Sequence, residues 1–304
     1  MIWLVGQNGM LGTELRLQLG EQGAHWVGTG REVDVGNLPA LEAFASANSE
    51  PISWIINCSA YTAVDKAEED EEACWRLNVT GAENLAKLAA EIGATLVHLS
   101  TDYVFDGKGI AGTHGKWRPY LETDPTGPQG VYGRTKAEAE TRIAESCRNH
   151  LILRTAWLYG GTGPSFVHTM LRLMNSKDAL GIVADQFGSP TWTGDLAAVI
   201  LAIIGKSDGP NSRVEFGVYH VSGEGQCSWF DFAAAILSGG TAHGLLEPAR
   251  KVTLNPLTTE QYPTKAKRPA WSVLSKDKLK SAFGLTLPFW QDSLKTFLST
   301  LSRL

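Results

Sequence analysis

The sequence predicts an α/β fold: a doubly wound parallel sheet with a smaller C-terminal domain attached. Three observations carry that expectation. Short apolar runs alternate with longer amphipathic ones through the first half, the pattern of βαβ units on a parallel sheet. The strand candidates are apolar on both faces, as in Trp54-Ile55-Ile56 and Leu96-Val97, so helices must cover the sheet on each side. A glycine-rich turn, Gly6 to Gly12, follows the first apolar run and leads into a helical stretch. Together these describe a Rossmann-type arrangement.

The elements follow in order. Ile2 to Val5, His25 to Gly28, Ile52 to Asn57, Thr95 to Leu99 and Leu151 to Arg154 read as strands. Leu11 to Leu19, Glu71 to Ile92 and Thr135 to Ser146 carry apolar residues three and four apart and read as the helices between them. From Asp106 to Gly130 six glycines and three prolines indicate a long loop, and loops of that length in compact domains commonly serve as lids or binding segments. Turn signals follow at Gly160-Gly161, Gly188-Ser-Pro190, Gly209-Pro210 and Gly239-Gly240. Tyr219-His-Val221 resembles one more sheet strand. The expected division is therefore a first domain of residues 1–156 with a returning segment at about 191–222, and a smaller domain of residues 157–190 and 223–304.

At 304 residues and 43% hydrophobic content the chain has the means to bury a core. A net charge of −5 provides no cationic field for phosphate backbones, so nucleic acid is not expected as a partner. The longest apolar run, Leu196 to Ile204, is far short of the roughly 20 residues that span a bilayer, so no membrane partner is expected and the run reads as a buried helix. No basic segment precedes Met1-Ile-Trp-Leu-Val5, and the protein reads as cytoplasmic. Cys58, Cys74, Cys147 and Cys227 lie far apart and the seven histidines show no ligand spacing, so neither a disulfide framework nor a metal is expected.

Four features carry chemistry. Gly6-Gln-Asn-Gly9-Met-Leu-Gly12 has the form G-x-x-G-x-x-G at a strand-to-helix turn. There glycines let backbone N–H groups and a helix N-terminus approach a pyrophosphate. At the end of the second strand stands Gly28-Thr-Gly30-Arg31. With no acid at the strand end, Arg31 is free to receive a 2′-phosphate, which favours NADP(H) and leaves NADH as an alternative. Tyr132 and Lys136 share a helix face, and an ammonium there is expected to lower the phenol pKa toward neutrality. None of the other six tyrosines has a lysine four residues on. Thr101 closes an apolar strand at the sheet edge where ligands gather, placed to bond a substrate carbonyl; capping a turn is its alternative role.

In this order, a glycine turn, a strand-end Thr and Tyr-x-x-x-Lys resemble the extended short-chain dehydrogenase/reductases. More closely, the chain is similar to the dTDP-4-dehydrorhamnose reductases. The closer resemblance rests on Asn57-Cys-Ser-Ala-Tyr-Thr-Ala-Val-Asp-Lys-Ala-Glu68, Ser100-Thr-Asp-Tyr-Val-Phe-Asp-Gly107, Val131-Tyr-Gly-Arg-Thr-Lys136, Arg154-Thr-Ala-Trp-Leu-Tyr159, Asp185-Gln-Phe-Gly-Ser-Pro-Thr191 and Arg268-Pro-Ala-Trp-Ser272. It implies NADPH-dependent reduction of a nucleotide-linked 4-keto sugar, a step of dTDP-rhamnose and carbohydrate biosynthesis. By the same resemblance Tyr132 is the proton donor, Lys136 holds the nicotinamide ribose and Thr101 completes the triad. Gly9, Met10, Leu11, Asp34, Val35, Ala60, Tyr61 and Thr62 match cofactor positions. Thr101, Asp102, Tyr103 and Trp157 match sugar positions, and Arg268 matches a residue near the diphosphate.

The chain departs from the family in two places. Gly30 stands where many relatives carry an acid. Glu14 matches one position of a metal bridge between subunits that some members have, whereas Gly194 occupies another, so no metal is expected and the unit is a monomer or homodimer. Two further readings share the triad or the fold: a reductase or epimerase of another nucleotide-linked keto sugar, and a non-catalytic NADP-binding regulatory subunit.

Overall fold

A computed structural model of the protein describes residues 1–112, 117–207, 215–247 and 251–302; the turn expected at Gly209-Pro210 lies outside them. Its centre is a six-stranded sheet formed by β1 (Ile2–Val5), β2 (Trp26–Thr29), β3 (Trp54–Asn57), β4 (Thr95–Thr101), β5 (His150–Thr155) and β6 (Gly217–His220). The spatial order is β6-β5-β4-β3-β1-β2, and every neighbouring pair is parallel. From β1 the chain steps outward to β2 and then returns past β1 to β3. The crevice beyond the carboxyl ends of β1 and β3 is the switch point where such sheets bind ligands.

Period-two alternation divides the strands between two cores. Leu4, Ile56, Val97 and Leu153 point to one face, under α1 (Met10–Glu21) and, later in the chain, Leu196, Ile200 and Ile203 of the helix Thr193–Ser207. Trp3, Val5, Ile55, Leu96 and Ile152 point to the other, under Leu41 of α2 (Leu38–Ala47) and Leu85 and Ala89 of a helix at Gly81–Ile92. Each such aliphatic side chain contributes about 1.5–3 kcal/mol by leaving water. β2 begins at Trp26 rather than His25 and is only half-buried for most of its length, as its place at the sheet edge requires.

Three stretches differ from expectation. α2 was not foreseen, although Asn37 caps it by accepting the Ala40 N–H and Pro39 stands in its first turn, both standard start signals. The expected helix Glu71 to Ile92 is continuous but contains a π-helical segment, Arg76–Thr80, between its α-helical parts, α4 (Glu71–Trp75) and α5 (Gly81–Ile92); the short α3 (Val64–Ala67) precedes them. The π-helical turn carries Asn78 inward, where it accepts the Tyr61 N–H and donates to Tyr61 O and Thr135 Oγ1. The expected long loop is pinned rather than free. Tyr120 is buried, stacked on Phe105 with ring centroids 4.2 Å apart, and its backbone bonds Val273 and Ser275. Within that loop Ile110–Ala111 pairs with Trp117–Arg118, and Arg118 makes two 2.7 Å bonds to Asp124.

Helix α6 (Val131–Ser146) starts one turn earlier than the periodicity indicates and packs Ala139 and Ile143 on the sheet. Beyond β5, helices α7 (Phe166–Met174), α9 (Trp229–Ala242) and α11 (Trp290–Leu301) enclose Tyr159, Phe232 and Phe297. Between α7 and α9 the chain returns through α8, the Thr193–Ser207 helix against α1, to β6 beside β5; α10 (Asp277–Phe283) precedes α11.

Candidate active site

The glycine turn is dictated by close approach. Gly6 has φ +81°, and a Cβ there would lie 2.8 Å from Ser59 N; a Cβ on Gly12 would lie 2.2 Å from Gly6 O. Gly9 is the N-cap of α1 and no side chain caps that helix, so its first N–H groups face outward, the arrangement that receives a phosphate. In front of it opens a cleft of about 850 Å³ whose wall includes Gly6, Gly9, Arg31, Asp34, Val35 and Ala60. The residues present fit a dinucleotide there.

The far end of that cleft holds more charge than expected. Glu32, two residues past the strand, turns back so that its carboxylate accepts the Gly30 N–H at 2.5 Å, which holds it below the usual carboxylate range. An acid therefore does stand beside Arg31, contrary to the reading of Gly30. Asp34 accepts the Gly36 N–H and pairs with the Arg76 guanidinium, brought in from the start of the π-helical segment. Arg76 was not singled out, because a separation of 42 positions from Asp34 leaves no local signal.

A second cleft, of about 470 Å³, shares Gly9, Cys58 and Ala60 with the first and is lined by Met10, Leu11, Thr62, Thr101, Asp102, Tyr103, Tyr132, Lys136 and Trp157. Gly12, Tyr61 and Arg268 lie outside both walls. The Tyr61 hydroxyl turns to Asp70, 3.2 Å away, while Arg268 pairs with Asp65 and donates to the Tyr103 hydroxyl at 3.1 Å.

Tyr132 stands in the first turn of α6. Glu68, 63 residues earlier, accepts the Val131 N–H at 2.8 Å and so caps the helix. A Cβ on Gly133 would lie 2.3 Å from Tyr103 O, and this bare contact lets the Tyr103 and Tyr132 rings meet edge to face at 5.7 Å. Burial pushes the Tyr132 phenol well above its ordinary range, and the neighbouring Thr101 hydroxyl partly offsets this. Thr101 takes the capping role foreseen for it, its Oγ1 accepting the Tyr103 N–H at 3.2 Å, and it lines the same cleft as Tyr132. It also donates to Asp102 at 3.0 Å; burial raises that carboxyl to about 6.

Lys136 departs from expectation. It is 1% exposed, and its Nζ donates to Leu99 O at 2.6 Å and lies 2.9 Å from His98 Nε2. Burial lowers it to about 8, and burial likewise dominates Tyr132, whose phenol is raised rather than lowered. The spacing put both residues on one helix face, but the lysine stem carries its amine under the sheet edge.

Trp157 has φ +48°, the only positive φ outside glycine among the described residues, and a bulky residue there is strained. The Trp157 side chain lines the second cleft, and Trp229, outside the cleft wall, stacks on it at 3.5 Å and 5°. Trp229 was likewise missed, since an aromatic 72 residues away in an amphipathic helix reads as core.

The RmlD substrate binding domain model matches residues 1–303. A dTDP-4-dehydrorhamnose reductase of Aggregatibacter actinomycetemcomitans is 40% identical over 96% of each chain. The solved dTDP-4-dehydrorhamnose reductase of Clostridium acetobutylicum superposes with a TM-score of 0.87 at 37% identity, over 99% of each chain. That of Bacillus anthracis, in complex with NADP, superposes with a TM-score of 0.85 at 34% identity over 97% of each. The chain accordingly belongs to the dTDP-4-dehydrorhamnose reductase family.

Proposed function

We propose that the protein reduces the C4 ketone of dTDP-4-dehydro-L-rhamnose to the alcohol of dTDP-L-rhamnose, with NADPH as reductant. The observation that carries this reading is the Thr101–Tyr132 hydroxyl pair in a cleft that opens off the glycine turn. NADPH, when bound, supplies the hydride. We assign Gly6, Gly9, Met10, Leu11, Gly12, Arg31, Asp34, Val35, Ala60, Tyr61 and Thr62 to its binding, with Tyr132 and Lys136 on its nicotinamide side. Thr101, Asp102, Tyr103, Trp157 and Arg268 face the nucleotide sugar.

In this reading Tyr132 stays a phenol through the neutral range, because burial disfavours its anion, and so keeps a proton to give. As charge develops on the C4 oxygen, Tyr132 transfers that proton to it, and the Thr101 hydroxyl, turning its proton from Asp102, steadies the phenolate left behind. Trp157, backed by Trp229, forms a rigid apolar wall that holds a sugar face and excludes water. The domain division at residues 1–156 with 191–222 and 157–190 with 223–304, a cytoplasmic setting and a monomer or homodimer complete the proposal. Among the described residues no helix is long and apolar enough to cross a membrane.

The test follows NADPH absorbance with freshly prepared dTDP-4-dehydro-L-rhamnose. Stoichiometric oxidation with dTDP-L-rhamnose as product is expected. No oxidation with fresh substrate overturns the assignment in favour of another keto sugar or a regulatory role.

A further inference from the structure

Behind Lys136 lies a buried chain of polar groups that the reduction step does not use. His98 is 1% exposed on β4, between Asn57 on β3 and Lys136 on α6, with Nδ1 3.0 Å from Asn57 Nδ2 and Nε2 2.9 Å from Lys136 Nζ. The orientation of the Asn57 amide is not ambiguous. The Ser59 backbone N–H, which can only donate, reaches Asn57 Oδ1 at 3.0 Å, and the Ser59 hydroxyl reaches the same oxygen at 2.6 Å. The amide therefore presents its NH₂ to His98 Nδ1, which must accept, so the proton of a neutral imidazole sits on Nε2 and points at Lys136. Burial keeps His98 neutral, well below its ordinary range. An ammonium at Lys136 would then set donor against donor, whereas a free amine accepts the Nε2–H and still donates to Leu99 O.

We propose that His98, oriented by Asn57, is a positioning residue that disfavours the charged form of Lys136 in its resting place, so that protonation of the lysine and its departure from His98 for the cofactor are linked. Protonating Lys136 in place requires the imidazole proton to move to Nδ1 and the Asn57 amide to flip, which breaks the Ser59 N–H bond and reverses that of the Ser59 hydroxyl. Charge and position of the lysine are thereby coupled, and the added proton comes from solvent. The other groups around Lys136 leave this intact. The Cys58 and Cys74 thiols are raised by burial, Cys58 to about 12, and stay neutral. Tyr132, on the same helix, stays a phenol. Glu140, one helical turn away, is committed to Arg154 through bonds of 2.6 to 3.2 Å and to Ser100 at 2.5 Å.

The inference rests on the reading of Lys136 as a cofactor residue, but its test uses ligand-free protein and is separate from the reductase assay. The Lys136 side chain is titrated by NMR in ¹³C-lysine-labelled protein, assigned by its loss in Lys136→Met. A midpoint near 8 is expected in the wild type. In His98→Gln a carbonyl oxygen can accept from both Asn57 and an ammonium, and the midpoint is expected to rise by about one pH unit or more. Asn57→Asp, which accepts from both Ser59 and His98 Nδ1 and so reverses the tautomer, is expected to raise it likewise and serves if the first variant does not fold. NADP⁺ affinity of the wild type is expected to weaken above pH 8, by up to about tenfold per pH unit, and in the variants the onset of that weakening is expected to move up with the midpoint. A wild-type midpoint in the ordinary lysine range, or a folded variant with an unmoved midpoint, overturns the proposal. A merely structural His98 would lower the melting temperature without moving the midpoint.

Discussion

The two ends of the site are built on opposite electrostatic plans. At the outer end of β2, Arg31, Glu32, Asp34 and Arg76 are exposed or half-exposed, and their pairs sit in solvent. At the carboxyl ends of β3 and β4, Asn57, His98, Thr101, Asp102 and Lys136 are almost entirely excluded from water. Exposed pairs contribute about 0–1 kcal/mol and rearrange freely, whereas a buried polar group left without its partner costs about 1–3 kcal/mol. Recognition at the outer end is accordingly adjustable, and chemistry at the inner end is fixed by groups that have few other partners.

Four experiments sharpen or break that contrast. The largest effect is expected from Tyr132→Phe, which removes the proton donor: kcat should fall about 10²–10⁴-fold with NADPH affinity almost unchanged. Reduction at the normal rate would end the assignment of Tyr132. Next is Thr101→Val, which takes away the hydroxyl that steadies the phenolate; a loss of about 10–100-fold in kcat, with little change in KM, fits a hydrogen bond to a charged group.

The third concerns Asp102. Its folded pKa, about 6, exceeds the usual value near 4, so the folded state binds more protons between those values and stability falls as pH rises through that window. Asp102→Asn should therefore raise the melting temperature at pH 7.5, by an amount on the order of 2 kcal/mol in stability, and the gain should vanish near pH 4. A pH-independent difference in calorimetric scans would show that burial of the charge is not the cause.

The smallest effects belong to the outer end. Arg31→Ala and Arg76→Ala should each raise the KM for NADPH by about tenfold and leave that for NADH within about twofold, since only the phosphorylated ribose needs a cation. Glu32→Gln should improve the NADPH to NADH ratio a few-fold, because a carboxylate beside Arg31 favours the plain ribose. Equal changes with both cofactors in steady-state kinetics would remove Arg31 and Arg76 from phosphate recognition.

What the sequence made legible is what local pattern encodes. The alternation that buries Ile55 and Leu96 on one face and Ile56 and Val97 on the other predicted the doubly wound sheet, and the glycines of the first turn announced close backbone approach. The Asn37 and Pro39 start of α2 was equally legible but went unread. What stayed hidden was tertiary. The Glu68 cap of α6, the Arg76–Asp34 pair and the His98–Lys136 contact join residues 63, 42 and 38 positions apart, and no periodicity marks such partners. Shared helix face put Lys136 in the same cleft as Tyr132, but its amine bonds a buried imidazole and the Leu99 carbonyl, which no periodicity marks.

The anchoring of Tyr120 has a consequence for biogenesis. Its backbone is held by Val273 and Ser275, and Gly107 by Trp271, more than 50 residues beyond the last strand of the large sheet. A nascent chain can finish that sheet on the ribosome while the segment flanking Thr101 and Asp102 still lacks its strap. The segment beside Thr101 and Asp102 is thus completed only once residues 271–275 have been made and packed against it.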